Sequence, residues 1–247
     1  FDEIENYQPN IIGLSTTFIL TPKHFIEVTT NLKKRFPNSF IVCGGHHVFT
    51  SLMQMNNSEK KNYLIESKTD CFINDSQGEN ALLELVKNFN KNISQIPNLI
   101  WKNYKDEVMF NHIHPEENDV NSTLIEFEHL ENPLIAHVRT ARSCSFKCAF
   151  CSYPTIAGKL ATMELENVFT TIRKAKEAGL KAIFFTDDTF NVPKNRFEKI
   201  IDGMLERDLQ IPWYSFVRSQ YLDENLVYKM KDAGCQGSYL GVESGSD

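Results

Sequence analysis

Short apolar runs that alternate with helical patterns constrain the fold of this chain more than any other feature. In the second half they occupy residues 134–138, 181–186, 213–217 and 238–242, and a helical pattern begins near Met163 after the first of them. Strands that alternate with helices of this length predict βαβ units and a parallel sheet. We therefore predict a truncated (β/α) partial barrel over residues 134–247.

Polar residues follow each of these predicted strands. A cysteine-rich loop follows the first strand, Asp187 and Asp188 follow the second, Arg218 follows the third and Glu243 follows the fourth. The carboxyl ends of parallel barrel strands form one face, and catalysis takes place on that face. The order of the elements therefore predicts one site to which all four exits contribute.

The cysteine-rich loop carries Cys144, Cys148 and Cys151 at the spacing C-x-x-x-C-x-x-C. Thiolates spaced this closely suit zinc or an iron–sulfur cluster. Structural zinc usually takes four ligands, often as two C-x-x-C pairs, whereas this loop offers three. Three thiolates on a cubane cluster leave one iron open. The alternatives are a zinc site completed by Cys235 or His137, and chance clustering of buried cysteines.

The first 97 residues show a second series of strands and helices. Apolar runs at 11–15, 39–43 and 71–73 alternate with helical patterns, including a weak one at about 48–55, and polar residues 56–61 predict a surface loop. The series predicts a doubly wound, Rossmann-like sheet, which binds ligands outside the carboxyl ends of its strands. Those ends carry residues 15–17, 44–47 and 74–76, and Gly44 and Gly45 would let the backbone approach a ligand closely.

The middle of the chain reads as a connection between two domains. Residues 98–103 and 107–111 predict two strands joined by a turn, and the polar stretch that follows predicts a linker. We therefore assign residues 1–97 and 134–247 to two domains and residues 98–133 to a hairpin and linker. Because the chain begins at Phe1 and ends directly after an apolar strand pattern, we expect a fragment of a longer protein.

The composition of the chain bears on its cellular compartment and on whether it binds nucleic acid or a membrane. The formal net charge of −6 argues against electrostatic capture of nucleic acid. No apolar run approaches the ~20 residues of a membrane span, and the N-terminus does not resemble a signal peptide. Six cysteines, three of them in one loop, do not resemble a disulfide framework, so we expect a reducing, cytoplasmic setting.

The cysteine loop resembles the signature C-x-x-x-C-x-aromatic-C of radical S-adenosylmethionine (SAM) enzymes, with Phe150 as the aromatic residue. The resemblance implies that Cys144, Cys148 and Cys151 hold a [4Fe-4S] cluster whose open iron chelates SAM. Phe150 would lie against the adenine. One electron, from a donor such as flavodoxin or ferredoxin, would then cleave SAM to a 5′-deoxyadenosyl radical.

The resemblance also assigns SAM contacts at the strand exits. Glu243 matches the fourth-strand position that contacts SAM, and Asp187 and Asp188 stand where the family often has G-G-E. Asp187 could accept a hydrogen bond from the SAM ammonium, and Arg218 could pair with its carboxylate. The structural alternative is that the acids cap the loops that follow them and that Arg218 pairs with one of the acids.

The first domain resembles the cobalamin-binding domain that precedes many radical SAM domains. Gly13, Ser15, Gly44 and Gly45 match positions that line the corrin and its nucleotide tail, although the motif D-x-H-x-x-G is absent from this chain. The alternative is a flavodoxin-like domain that binds nothing. We interpret His46 and His47 as structural residues of the loop. The alternative is that one of them is the lower ligand to cobalt.

Within the family, residues 151–158 and 187–193 resemble the phosphinate P-methyltransferase-like subgroup of cobalamin-dependent methyltransferases. This likeness implies methylation of an unactivated C or P centre of a small molecule or peptide, with methylcobalamin as the methyl donor. Other radical chemistry (cyclisation, epimerisation or methylthiolation) and a non-enzymatic metal-binding module are the alternatives. A methylthiotransferase would need a second cysteine trio, and Cys43 and Cys71 fall short of three.

Overall fold

The chain divides into two units, residues 1–117 and 118–247. The computed structural model describes residues 2–89, 91–116, 119–122, 125–129, 134–243 and 245. In this part of the chain, no helix is both long enough and apolar enough to cross a membrane. Each unit contains its own sheet and its own hydrophobic core.

The first unit contains a mixed five-stranded sheet in the order β1-β2-β3-β4-β5. Strands β1, β2 and β3 are parallel, and β4 and β5 are antiparallel to their neighbours. In chain order its elements are α1 (Asp2–Tyr7), β1 (Ile11–Ser15), α2 (Pro22–Arg35), β2 (Phe40–Gly44), α3 (His46–Gln54), α4 (Asn57–Glu66), β3 (Cys71–Ile73), α5 (Glu79–Lys87), β4 (Leu99–Lys102) and β5 (Val108–Phe110).

Both faces of this sheet are buried. Successive strand residues point to opposite faces, so Ile41 and Cys43 join one core cluster, which contains Phe25, while Val42 joins another, which contains Leu85. Helices α2 and α3 contribute to the first cluster and α5 to the second. The predicted doubly wound α/β architecture is confirmed.

Two features of this unit differ from the sequence-based expectation. The hairpin that we assigned to the connecting segment pairs through β4 with β3 and extends the first sheet. Residues predicted as a polar surface loop form α4 instead, because Asn56 and Glu59 build a capping box at its start.

The second unit contains four parallel strands in the order β11-β10-β9-β6, as expected for part of a (β/α) barrel, and a two-stranded antiparallel sheet of β7 and β8. In chain order its elements are β6 (Ile135–Val138), β7 (Ala141–Arg142), α6 (Tyr153–Ala157), β8 (Ala161–Thr162), α7 (Leu165–Glu177), β9 (Ala182–Phe185), α8 (Lys194–Glu206), β10 (Trp213–Val217), α9 (Glu224–Asp232) and β11 (Cys235–Leu240).

The two faces of the four-stranded sheet have different surroundings. One face packs with residues of α7, α8 and α9 in a core that includes Val138, Phe185 and Trp213. The other face carries rings from neighbouring strands that contact one another, with Phe216 and Tyr239 44% and 56% exposed. Period-2 alternation along the strands produces this division, and it leaves an open aromatic face beside the strand exits.

Candidate metal centre

The three cysteines lie on a segment whose two ends are held together. We call residues 143–160 the cysteine loop; β7 leads into it and β8 leads out of it, and these two strands pair with each other. Beyond the pair, Met163 N donates to Thr140 O at 2.8 Å. The loop therefore starts and ends at one point, next to the carboxyl end of β6.

A buried network, which we call the Thr140 clamp, fixes this point. The Asp187 carboxylate accepts hydrogen bonds from Thr140 N at 2.6 Å, Thr140 Oγ1 at 2.5 Å and Ala141 N at 3.0 Å. Arg196 donates to Thr140 Oγ1 at 3.1 Å, to Thr140 O at 3.0 Å and to Met163 O at 2.9 Å. One acid from the exit of β9 and one guanidinium from α8 thus hold both ends of the segment that carries the cysteines.

The structure separates the two predicted acids. Asp187 is 2% exposed, and its carboxylate binds Thr140 and Ala141, just before the cysteine loop. Burial raises the pKa of Asp187, although its hydrogen bonds and Arg196 favour the charged form. Asp188 lines a cavity beside Cys148, and loss of water around its carboxyl, reinforced by the charge of Asp187, raises its pKa to about 6.

All three cysteines of the loop are free thiols, and none is fully buried. Cys144 Sγ lies 3.5 Å from Thr189 Oγ1, and Cys148 Sγ accepts a hydrogen bond from Arg218 Nη2 at 3.3 Å. Cys151 N donates to Cys148 O at 3.0 Å, which folds the C-x-x-C half of the motif into a turn. Three accessible soft donors beside a cation fit a cluster that takes three thiolates.

Neither residue considered for completing a zinc site lies with this trio. Cys235 begins β11, level with the start of β10, whereas the cysteine loop follows the opposite ends of the parallel strands. His137 packs its ring against Phe184 on the sheet face. Among the described residues, no three His, Cys, Asp or Glu side chains are grouped closely enough to hold one metal ion. A cubane does not require such a group, because each cysteine binds a different iron.

A cavity of about 430 Å³ lies at the strand exits and brings most of the predicted residues together. Cys148, Phe150, Asp188, Arg218 and Glu243 all line it. Ser244, which follows Glu243 in the expected motif, lies outside the described residues. The geometry therefore joins the cysteine loop to the exits of β9, β10 and β11 in one site.

Several residues of this site were not identified from the sequence. Phe216 and Tyr239 form an apolar side of the cavity, and for Phe216 the alternation with buried residues of β10 was the available signal. Asn191 is fully buried and binds the backbone of Arg218 in both directions, through Nδ2 to O at 2.8 Å and from N to Oδ1 at 2.9 Å. No local pattern indicates that pairing, since 27 residues separate the partners.

In the first unit Ser15, Gly44 and Gly45 lie at one sheet edge, whereas Gly13 lies inside β1, opposite Val42. Ser15 is level with Gly44 at the carboxyl ends of β1 and β2, and an added Cβ on Gly13 would meet no atom within 4 Å. Gly45 has φ +96°, and a side chain there would press on Thr16 N at 3.0 Å. Thr16 Oγ1 donates to Gly44 O at 2.7 Å and accepts from Val48 N at 3.2 Å, which fixes the turn.

The two adjacent histidines of this unit differ in their surroundings. His47 is buried, its Nε2 lies 3.0 Å from Tyr63 Oη, and its pKa is lowered by burial and by neighbouring His46. His47 is therefore a structural residue that packs beside the turn at Gly44 and Gly45. His46 is exposed at the first position of α3.

Comparison with known proteins gives this geometry a family context. Residues 138–247 match the family model described as the Radical SAM superfamily. A protein named as an uncharacterized methyltransferase, from Pyrococcus horikoshii, is 26% identical over 258 residues, covering 98% of this chain and 53% of its own length. The hopanoid C-3 methylase of Methylococcus capsulatus is 22% identical, covering 98% and 47%. The chain spans about half the length of these relatives.

A solved structure shares the fold across both units. The radical S-adenosylmethionine methyltransferase TsrM of Kitasatospora setae, with cobalamin and a [4Fe-4S] cluster bound, superposes with a TM-score of 0.66 at 14% identity. The match covers 97% of this chain and 51% of that one. The α/β architecture, the cysteine loop at the strand exits and the match of residues 138–247 to the Radical SAM superfamily model all point to the same part of the chain.

Proposed function

We propose that the protein is a cobalamin-dependent radical SAM methyltransferase that methylates an unactivated C or P centre of a small molecule or peptide. The observation that carries the proposal is the convergence of the cysteine loop with Phe150, Arg218 and Glu243 on one cavity. The cysteine loop supplies soft metal ligands. Arg218 and Glu243 supply charged groups for the zwitterionic part of SAM.

In this proposal Cys144, Cys148 and Cys151 hold a [4Fe-4S] cluster. When bound, the reduced cluster supplies the electron that cleaves SAM and so provides a radical able to remove hydrogen from the substrate. The protein holds the thiols through the Thr140 clamp and so fixes where the cluster lies relative to the cavity. Asp187 therefore acts as a positioning residue.

The remaining cavity residues suit the parts of SAM. Glu243 and Asp188 are acids that can accept from the SAM ammonium, and Phe150, 72% exposed, offers a ring to the adenine. Phe216 and Tyr239 give the cavity an apolar side on which an unactivated part of a substrate can lie away from water. Exclusion of water protects a reactive intermediate from side reactions.

We assign cobalamin to the carboxyl edge of the first sheet, at Gly13, Ser15, Gly44 and Gly45. At Gly13 an added Cβ would meet no atom within 4 Å, so the backbone is open to close approach by a large planar ligand. The names of the relatives support a methyl-transfer reaction, and the cobalamin in TsrM supports this cofactor for the shared fold. We propose domains at 1–97 and 134–247 with 98–133 as hairpin and linker, and the hairpin extends the sheet of the first domain.

The phosphinate-type subgroup remains the finer part of the proposal. Two residues of the stretch that suggested it have structural roles here, because Phe190 packs in the core and Asn191 binds Arg218. That stretch therefore supports the fold more strongly than it supports a phosphorus substrate. A reducing compartment and a flavodoxin- or ferredoxin-type donor complete the proposal, and the described cysteines are all free thiols.

Low-temperature electron paramagnetic resonance of anaerobically reconstituted, reduced protein tests the proposal. We expect a [4Fe-4S]⁺ signal that changes on addition of SAM and is absent from the Cys144/Cys148/Cys151→Ala triple variant. A Cys43→Ala variant, which alters a buried thiol of the first unit, is the control and should keep the signal. A protein that loads zinc and gives no cluster signal would contradict radical chemistry.

A further inference from the structure

Arg218 makes contacts in the site that are distinct from the SAM contact expected from the sequence. Its Nη2 donates a hydrogen bond to Cys148 Sγ at 3.3 Å, so the cation already has a partner among the proposed cluster ligands. Its guanidinium carbon also lies 3.9 Å from the ring centroid of Phe146, another residue of the cysteine loop. Two separate contacts therefore direct this side chain towards the loop.

The backbone of Arg218 is fixed as well. Asn191, fully buried, accepts from Arg218 N and donates to Arg218 O. A guanidinium anchored at its backbone and stacked on a ring loses little further freedom when it hydrogen-bonds to sulfur. The contact with Cys148 is thus built into the exit of β10.

We propose that Arg218 is a positioning residue that raises the reduction potential of the proposed cluster through its hydrogen bond to Cys148 Sγ. Reduction adds negative charge to a cluster, and a cationic N–H donor on a ligand sulfur stabilises the more negative state. Hydrogen bonds to cluster sulfurs and nearby charge are among the levers that set such potentials. The inference rests on the proposed function, because it requires a cluster on these cysteines.

The midpoint potential of the reconstituted protein, measured without SAM by a redox titration followed by electron paramagnetic resonance, tests this role. Omitting SAM separates an effect on the cluster from any contact with the SAM carboxylate. For Arg218→Gln we expect the reduced-to-oxidised ratio at a fixed potential to fall about tenfold, a shift of ~59 mV to more negative values for one electron. Iron and sulfide analysis must first show equal cluster content.

Three further variants make the test specific. Arg218→Lys keeps the positive charge but loses the planar guanidinium. The midpoint potential of its cluster should therefore lie between those of wild type and Arg218→Gln. Phe146→Leu keeps the arginine but removes the stacking ring, and a smaller shift in the same direction is expected. Arg173→Gln changes an exposed arginine of α7 in the same unit and should leave the potential unchanged.

The outcomes separate this inference from the proposed function. A wild-type protein that forms no cluster refutes the proposed function. A wild-type protein with a cluster whose potential is unchanged in Arg218→Gln refutes the role of Arg218 alone. If Arg218→Gln fails to load a cluster, the test rests on Arg218→Lys and Phe146→Leu. A midpoint potential equal to that of wild type in both variants would overturn the inference.

Discussion

Asp187 and Asp188 are adjacent in sequence, yet their carboxyl groups have opposite environments. Asp187 is buried against Thr140 and Ala141, whereas Asp188 opens onto the cavity. A strand exit produces this division, because successive side chains there point in opposite directions. One acid can then hold the loop while its neighbour faces ligands.

Replacing Asp187 with Asn should destabilise the second unit. The amide cannot accept from all three donors, and Thr140 Oγ1 would lose its acceptor while still receiving a bond from Arg196. We expect the free energy of unfolding, measured by urea denaturation, to fall by about 2 kcal/mol, the order of a buried hydrogen bond to a charged group.

Asp188→Asn is the matched control, since it makes the same chemical change one residue away. Its carboxyl faces the cavity, where loss of water raises its pKa, so the uncharged amide removes a disfavoured charge and we expect no loss in the free energy of unfolding. An equal fall in the free energy of unfolding in both variants would show that the Thr140 clamp does not stabilise the second unit.

At the scale of elements, helix α4 shows that a local capping signal can outweigh a loop-like composition. Its stretch is rich in Asn, Ser, Glu and Lys, which led us to predict a loop. Asn56 nevertheless accepts from Ser58 N and Glu59 N, while the Glu59 carboxylate accepts from Asn56 N at 2.7 Å. Tyr63 and Leu64 then reach the core and fix the helix by packing.

Loss of the cap should weaken this helix measurably. Asn56→Ala removes the acceptor for two backbone N–H groups, and we expect unfolding to become easier by about 1 kcal/mol. Asn57→Ala, at the first helical position, is the control and should have a smaller effect. A larger loss from Asn57→Ala than from Asn56→Ala would contradict the capping role.

Sequence reasoning predicted the strands of both units because buried parallel strands are short apolar runs, and β3 and β10 were located to the residue. It also predicted that the strand exits converge, since that follows from parallel topology alone. It could not predict the partners of Asp187, Asn191 and Arg218, which come from other segments of the chain. Pairings of that kind depend on tertiary packing, and no periodic pattern in the sequence indicates them.

For the molecule as a whole, the main feature is that each unit has its own core. Leu52 and Ile200 are both fully buried, one in each unit. We expect Leu52→Ala and Ile200→Ala each to cost about 3 kcal/mol, the usual size of a buried aliphatic truncation.

Hydrogen–deuterium exchange resolved by peptide should then show faster exchange in the unit that carries the change. Leu52→Ala should affect peptides within residues 1–117, and Ile200→Ala peptides within residues 118–247. Equal acceleration in both units after either change would mean that the chain unfolds as one cooperative body.

The guanidinium of Arg196 binds Thr140 on one side of the cysteine segment and Met163 on the other. Because the segment is already closed, much of the entropy of bringing its thiols together is lost during folding rather than during metal capture. Once one thiolate has captured iron, the others meet it at an effective concentration on the order of millimolar. With the proposed cluster bound, the closed loop would act as a chelator, and we expect that opening its base would lower metal affinity without replacing any cysteine.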